Sequence, residues 1–394
     1  AADTKWEPKN EQPFIFVHGL NGWGGAEDIN GIMPYWGATT GDLMHYLQNK
    51  GYDCYSASVG PLNSAWDRAC ELYAQLMGTR VDYGKAHSEE HGHSRYGRTY
   101  GDKLCESFGT KDKNGNIIKV NLVGHSMGGV TIRLFASILE YGVPEEVAVG
   151  DDVSDFFTGG KGCYINSIST VSAPHNGSLG ADKDNIAYIN LILKFFYIMT
   201  GVVGNTALRP LWDAQLEQFG FTDYPADGFE GSFSFRLIEQ MTNCEDSAYY
   251  DLTLQGAREL NERIRLLDDV YYYSYHSECV FESPLTGRLY PEPTMNPIFL
   301  PVSFIICNYK DTEIAGYDID SSWRINDGIV SPGSAEYPDG DPHTDYDPAD
   351  VQPGIWNVMP VENSMDHTDF MGIFFDPVRI RKFYKGVCET ACAR

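Results

Sequence analysis

Short apolar runs along this chain alternate with stretches whose apolar residues recur every three or four positions. The runs Pro13–Val17, Tyr52–Val59, Val120–Val123, Tyr164–Val171, Val270–Tyr275 and Val302–Cys307 read as buried strands. Helical spacing covers Asp42–Lys50, a run ending at Met77, Thr99–Phe108, Thr131–Leu139, Leu211–Gly220, Phe233–Met241 and Gln255–Leu267. Strands without polar alternation, separated by helices, predict an α/β fold with a mostly parallel central sheet flanked by helices. The acid- and proline-rich passage Tyr337–Pro353 reads as a surface loop.

Ile186–Gly204 is the most apolar stretch, nearly long enough to span a bilayer, but Asn190 and Lys194 interrupt it. No integral membrane segment is expected. A lid over a cleft and a plain buried helix are both open readings. With no internal repeat and no linker, residues 1–394 read as a single domain, carrying insertions at 63–100 and 180–300.

Within this pattern, Lys119–Val130 stands out. A strand stops at Gly124-His125-Ser126-Met127-Gly128 and a helix begins. Gly-x-Ser-x-Gly between strand and helix is the nucleophile-elbow pattern, in which glycines let the two elements approach and a strained turn lifts the serine hydroxyl. The early strand ends in His18-Gly19-Leu20, a place from which such folds supply an oxyanion N–H. The donors are assigned to Leu20 and Met127. In the order Ser, Asp, His, only His175, His276, His343 and His367 follow the elbow. His367 lies in a turn-like stretch near the C-terminus, and Asp327 at a strand-to-loop junction beside Gly328. These readings make Ser126 the nucleophile, His367 the base and Asp327 the acid that orients it.

Composition narrows the partners. With 29 Lys+Arg against 55 Asp+Glu, the net charge is −26, which repels nucleic acid. The polar opening Ala1–Lys5 carries no signal-peptide pattern and fits a mature, processed product. Nine scattered cysteines, an odd number, argue against a disulfide framework. His87, His91 and His93 cluster within seven residues and suit zinc better than calcium, although a solvated polar loop is the alternative.

The chain resembles the secreted lipases of thermophilic bacilli and staphylococci, an α/β-hydrolase family. The resemblance rests on ordered, separated matches. They include Val17–Gly22, Tyr35-Trp36-Gly37, Trp66–Ala69, Val81–His87 and Gly92-His93 with Tyr96–Tyr100. Further along come Gly124–Gly129, Ala173–Gly177, Tyr250–Thr253, Asn326–Val330 and Asp366-His367. It implies the same triad and a secreted, zinc-containing enzyme expected to act as a monomer on lipid or other hydrophobic esters at an interface. It implies structural zinc on Asp67, His87, His93 and Asp251, with His91 outside. It also implies calcium on Asp369 and Asp376, with Pro377 and Thr294 supplying carbonyls. A triacylglycerol lipase or carboxylesterase leads. A phospholipase or polyester-cleaving esterase with the same triad, and an inactive hydrolase fold used for binding, are the alternatives.

Overall fold

The computed structural model describes residues 8–150, 152–181, 191, 215–219 and 243–394. Seven strands build the central sheet: β1 (Phe14–Val17), β2 (Cys54–Ala57), β3 (Val120–His125), β4 (Ile165–Val171), β5 (Tyr271–Tyr275), β6 (His343–Asp345) and β7 (Trp356–Val358). Their spatial order is β6-β7-β5-β4-β3-β1-β2. Every neighbouring pair is parallel. β1, β3 and β4 are buried throughout, as strands covered on both faces are, although Asn121, Asn166, Ser167, Ser169 and Thr170 interrupt the apolar residues of β3 and β4. Phe16, Trp36 and Tyr384 interlock edge-on beneath β1, with centroids 5.0 Å (Phe16 to Trp36) and 5.7 Å (Trp36 to Tyr384) apart. They tie the C-terminal helix Pro377–Cys392 to the sheet.

Three sequence expectations fail for identifiable reasons. Val302–Cys307 belongs to the helix Leu300–Cys307. Pro301 sits in its first turn, where the missing N–H costs nothing, and a short apolar run does not itself distinguish strand from helix. The sheet position is filled instead by β7, and by β6 from within the supposed loop Tyr337–Pro353. β6 is an exposed edge strand, so no apolar run marked it. Thr99–Phe108 is not a helix either. Tyr96–Thr99 pairs antiparallel with Arg80–Asp82, and turns follow. Ile186–Gly204 lies outside the described residues except for Leu191, Leu211–Gly220 except for 215–219, and Phe233–Met241 entirely. Among the described residues no helix is long and apolar enough to cross a membrane. All nine cysteines are free thiols.

Candidate active site and metal cluster

β3 delivers Ser126 into the left-handed region, at φ 55°, immediately before the helix Met127–Tyr141. Such a conformation is costly for a residue with a Cβ and persists only where the surroundings impose it. Here they do: a Cβ on Gly124 would stand 2.4 Å from the Gly128 carbonyl carbon, and one on Gly128 would stand 2.1 Å from the Val17 oxygen. The Ser126 N–H donates to the Val171 carbonyl at 2.9 Å, fixing the turn to β4. Ser126 is thereby held at the N-terminal, positive end of a fifteen-residue helix.

Asp327 is fully buried, and its carboxylate is surrounded by donors. Oδ1 accepts from the Val330 N–H at 2.8 Å and the Ile329 N–H at 3.2 Å. Oδ2 accepts the His367 Nδ1 proton at 2.8 Å and the Ser172 hydroxyl. The His367 N–H also donates to the Asp327 carbonyl at 2.8 Å, so both main chain and side chain tie the two residues. With Nδ1–H committed to Asp327, Nε2 of His367 is left as the acceptor. Ser126 and His367 both line one cavity of about 400 Å³ whose other walls include Leu20, Trp23, Met33, Phe299 and Met371. Leu191 also reaches this wall.

The loop after β1 faces the same cavity through Leu20. The N–H groups of Gly19, Asn21 and Gly22 are all spent on protein acceptors, while that of Leu20 finds none among the described residues. Met127 opens its helix, so its N–H has no intrahelical acceptor either. Arg68, fully buried, shapes this loop by donating to the carbonyls of His18, Gly19 and Gly60, with Nε on Thr131 Oγ1 at 3.0 Å. Burial, then the Arg68 charge, pushes His18 down to about 3, so its imidazole is neutral. A hydroxyl, an acceptor imidazole, a paired carboxylate and two N–H groups are what acyl transfer through a serine requires.

A second cluster uses none of the residues that line this cavity. Ligand atoms of Asp67, His87, His93 and Asp246 all lie within 4.8 Å of one another. His87 Nε2 stands 3.3 Å from both Asp67 Oδ1 and Asp246 Oδ2, and His93 Nε2 stands 3.1 Å from Asp246 Oδ2. Despite this proximity, buried Asp67 Oδ1 and His93 Nε2 make no aligned hydrogen bond. Converging acceptors without donors are what a cation would satisfy. Outer contacts are in place: His93 Nδ1 pairs with the Ser94 carbonyl at 2.9 Å, Ser64 donates to Asp246 Oδ1 at 2.5 Å, and Gln218 Nε2 donates to Asp67 Oδ2 at 2.9 Å. Trp66 stacks on His87 at 4.8 Å. Burial works against a charge on His87, but the carboxylates of Asp246 and Asp67 beside its Nε2 outweigh it and raise the group to about 9.

The fourth member of the group therefore differs from the expected one, Asp246 standing where Asp251 was expected. Asp251, on the short helix Ala248–Leu252, is not among the four and accepts the Ala65 N–H at 2.7 Å, at the first residue of the helix Ala65–Met77. Burial, with Asp246 and Asp67 adding to it, pushes Asp251 up to about 8. Asp246 precedes the cap Ser247, so its side chain is free to turn inward from a loop. His91 lies against His87, with ring centroids 4.5 Å apart, and is not among the four. Near the other expected ion, Asp369 Oδ2 accepts the Asp366 N–H at 2.8 Å, and Asp376 Oδ1 caps the C-terminal helix at Val378 and Arg379. Thr294 Oγ1 turns toward Glu292, and Pro377 begins the helix. Among the described residues, the Asp67 group is the only gathering of three or more metal-ligand side chains.

A family model described as "Lipase-like, C-terminal domain" matches residues 10–391. Lipase 2 of Staphylococcus aureus is 34% identical over 97% of this chain, and the lipase of Staphylococcus hyicus 36% over 94%. The alignments take in 54% and 55% of those proteins, so the chain spans about half the length of the curated relatives it matches. Among solved structures, EstA from Clostridium botulinum shares 33% identity at a TM-score of 0.86, covering 100% of this chain and 90% of that one. Lipase 1 from Pelosinus fermentans shares 34% at 0.85, covering 98% and 99%.

Proposed function

This chain belongs to the lipase-like C-terminal domain family, and on that premise we propose that it is a secreted serine hydrolase that cleaves carboxylic esters of lipids through an acyl-enzyme. In this reading residues 1–394 form one hydrolase domain, with insertions at 63–100 for the metal region and 180–300 for lid and cap. The 2.8 Å bond from His367 Nδ1 to Asp327, on the wall shared with the strained Ser126, carries the proposal.

His367 Nε2 takes the Ser126 proton as Oγ attacks the ester carbonyl. The tetrahedral oxyanion is met by the N–H groups of Leu20 and Met127, and the positive helix end behind Ser126 adds to their effect. His367, held by Asp327, then protonates the leaving alcohol, and water hydrolyses the acyl-enzyme by the same steps in reverse. The apolar walls contributed by Leu20, Met33, Phe299 and Met371 favour an aliphatic acyl chain over a charged substrate. Lipase, esterase and phospholipase substrates share this chemistry, and the names of the relatives favour the first.

Asp67, His87, His93 and Asp246 would hold zinc, whose contribution is to staple Asp246 to the helix Ala65–Met77 and to the segment after it. Asp369 and Asp376, each with one carboxylate oxygen not used in the bonds described, would hold calcium with the carbonyls of Pro377 and Thr294. Ser126→Ala should abolish p-nitrophenol release from p-nitrophenyl butyrate while leaving a cooperative melt. Undiminished turnover in that variant would overturn the proposal.

A further inference from the structure

Three parts of the proposed machinery, the oxyanion loop, the nucleophile strand and the base, are joined by one buried chain of hydrogen bonds. The Gly19 N–H donates to the Tyr35 hydroxyl at 3.0 Å. That hydroxyl lies 2.6 Å from His125 Nδ1, and His125 Nε2 lies 3.1 Å from the carbonyl oxygen of His367. Every role in the chain is forced. An amide N–H only donates, so Tyr35 Oη accepts there and has its proton for Nδ1 alone. A carbonyl only accepts, so Nε2 carries the imidazole hydrogen. One neutral tautomer of His125 satisfies all three bonds.

The surroundings hold this arrangement still. The Tyr35 ring is clamped edge-on by Trp23 at 5.5 Å and Trp36 at 5.1 Å. The His125 ring lies against that of His367, with centroids 4.7 Å apart. Burial, then the neighbouring His367, drives His125 well below the usual histidine range, and burial raises Tyr35, so both stay uncharged. A second positive ring beside the imidazolium formed on His367 is thereby avoided. Gly19 is also close to the nucleophile: a Cβ placed on it would stand 2.8 Å from Ser126 Cβ.

We infer that Tyr35 and His125 are positioning residues, setting the Leu20 donor and the His367 ring in fixed relation to Ser126 by joining Gly19 to the His367 backbone. The inference rests on the serine-hydrolase reading. A displacement of a reacting group by about 1 Å costs up to roughly 100-fold in rate, so the chain should be felt in turnover more than in binding.

The test is a double-mutant cycle on p-nitrophenyl butyrate with Tyr35→Phe and His125→Asn. Tyr35→Phe keeps the ring packing but removes the hydroxyl. His125→Asn keeps an acceptor near Nδ1 but has nothing to reach His367. In each folded variant kcat is expected to fall about 10- to 100-fold with KM within about threefold, and the double variant should be no slower than the slower single. Should Tyr35→Phe not fold, the kcat of His125→Asn decides. Folded variants within twofold of wild-type kcat, or losses that multiply in the double, would overturn the inference. Ser126→Ala is measured alongside. If it retains activity, the serine-hydrolase reading falls and this inference with it. If it is dead while Tyr35→Phe and His125→Asn match wild type, only this inference falls.

Discussion

Ser172 donates its hydroxyl proton to Asp327 Oδ2, the same oxygen that receives the Nδ1 proton of His367. Ser172 sits just past β4 at φ 47°, another left-handed non-glycine residue, with its N–H fixed to the Tyr275 carbonyl at 2.8 Å. The carboxylate is thus pinned on both oxygens before any substrate arrives. A hydrogen bond to a charged group contributes about 1.5 kcal/mol, so Ser172→Ala is expected to lower kcat roughly tenfold. An unchanged kcat would show that the Val330, Ile329 and His367 donors hold Asp327 without help.

The metal cluster separates two neighbouring acids. Asp246→Asn should abolish stoichiometric zinc binding and lower the melting temperature by several degrees, as should chelation of the native protein, because zinc would close the long loop from Asp67 to Asp246. Asp251→Asn should retain zinc, since that carboxylate only caps Ala65. Metal content by elemental analysis checks both. Zinc lost from the Asp251 variant and retained in the Asp246 variant would reverse the assignment.

Acid stability follows from buried neutral imidazoles. Burial holds His276 down to about 4 and His18 to about 3, against 6.5 in an exposed ring. Between pH 6.5 and 4 the unfolded chain binds protons that the native protein refuses. The stability these rings contribute is therefore complete above pH 6.5 and is lost as pH falls below it. For His276 this amounts to on the order of 2 kcal/mol by pH 5. His276→Gln should accordingly flatten the fall in stability between pH 6.5 and 4.5, measured by denaturant melts. Identical slopes in both proteins would refute it.

How much of this was readable beforehand depends on how local the determinant is. The elbow was legible because its demand is steric and spans five residues: Gly124 and Gly128 leave no room for a Cβ. Asp327 and His367 were legible from their turn contexts and the order along the chain. Asp246 was not, because the choice between two acids five residues apart depends on which one lies within a short helix and which precedes its cap. The apolar run Val302–Cys307 carried no period to identify it, and β6 is recruited to the sheet by its neighbour β7 despite exposed side chains. Ser172, Tyr35, His125 and Gln218 act through bonds to residues 90 to 242 positions away, and no local pattern encodes them.

The most direct measurement is reaction of the native protein with a fluorophosphonate, followed by peptide mass spectrometry, repeated with His367→Asn. We expect a single adduct on Ser126 that forms at least a hundredfold more slowly, on the order of the loss of a general base, in the His367 variant. No adduct, an adduct on another residue, or equal rates in the two proteins would contradict the central claim.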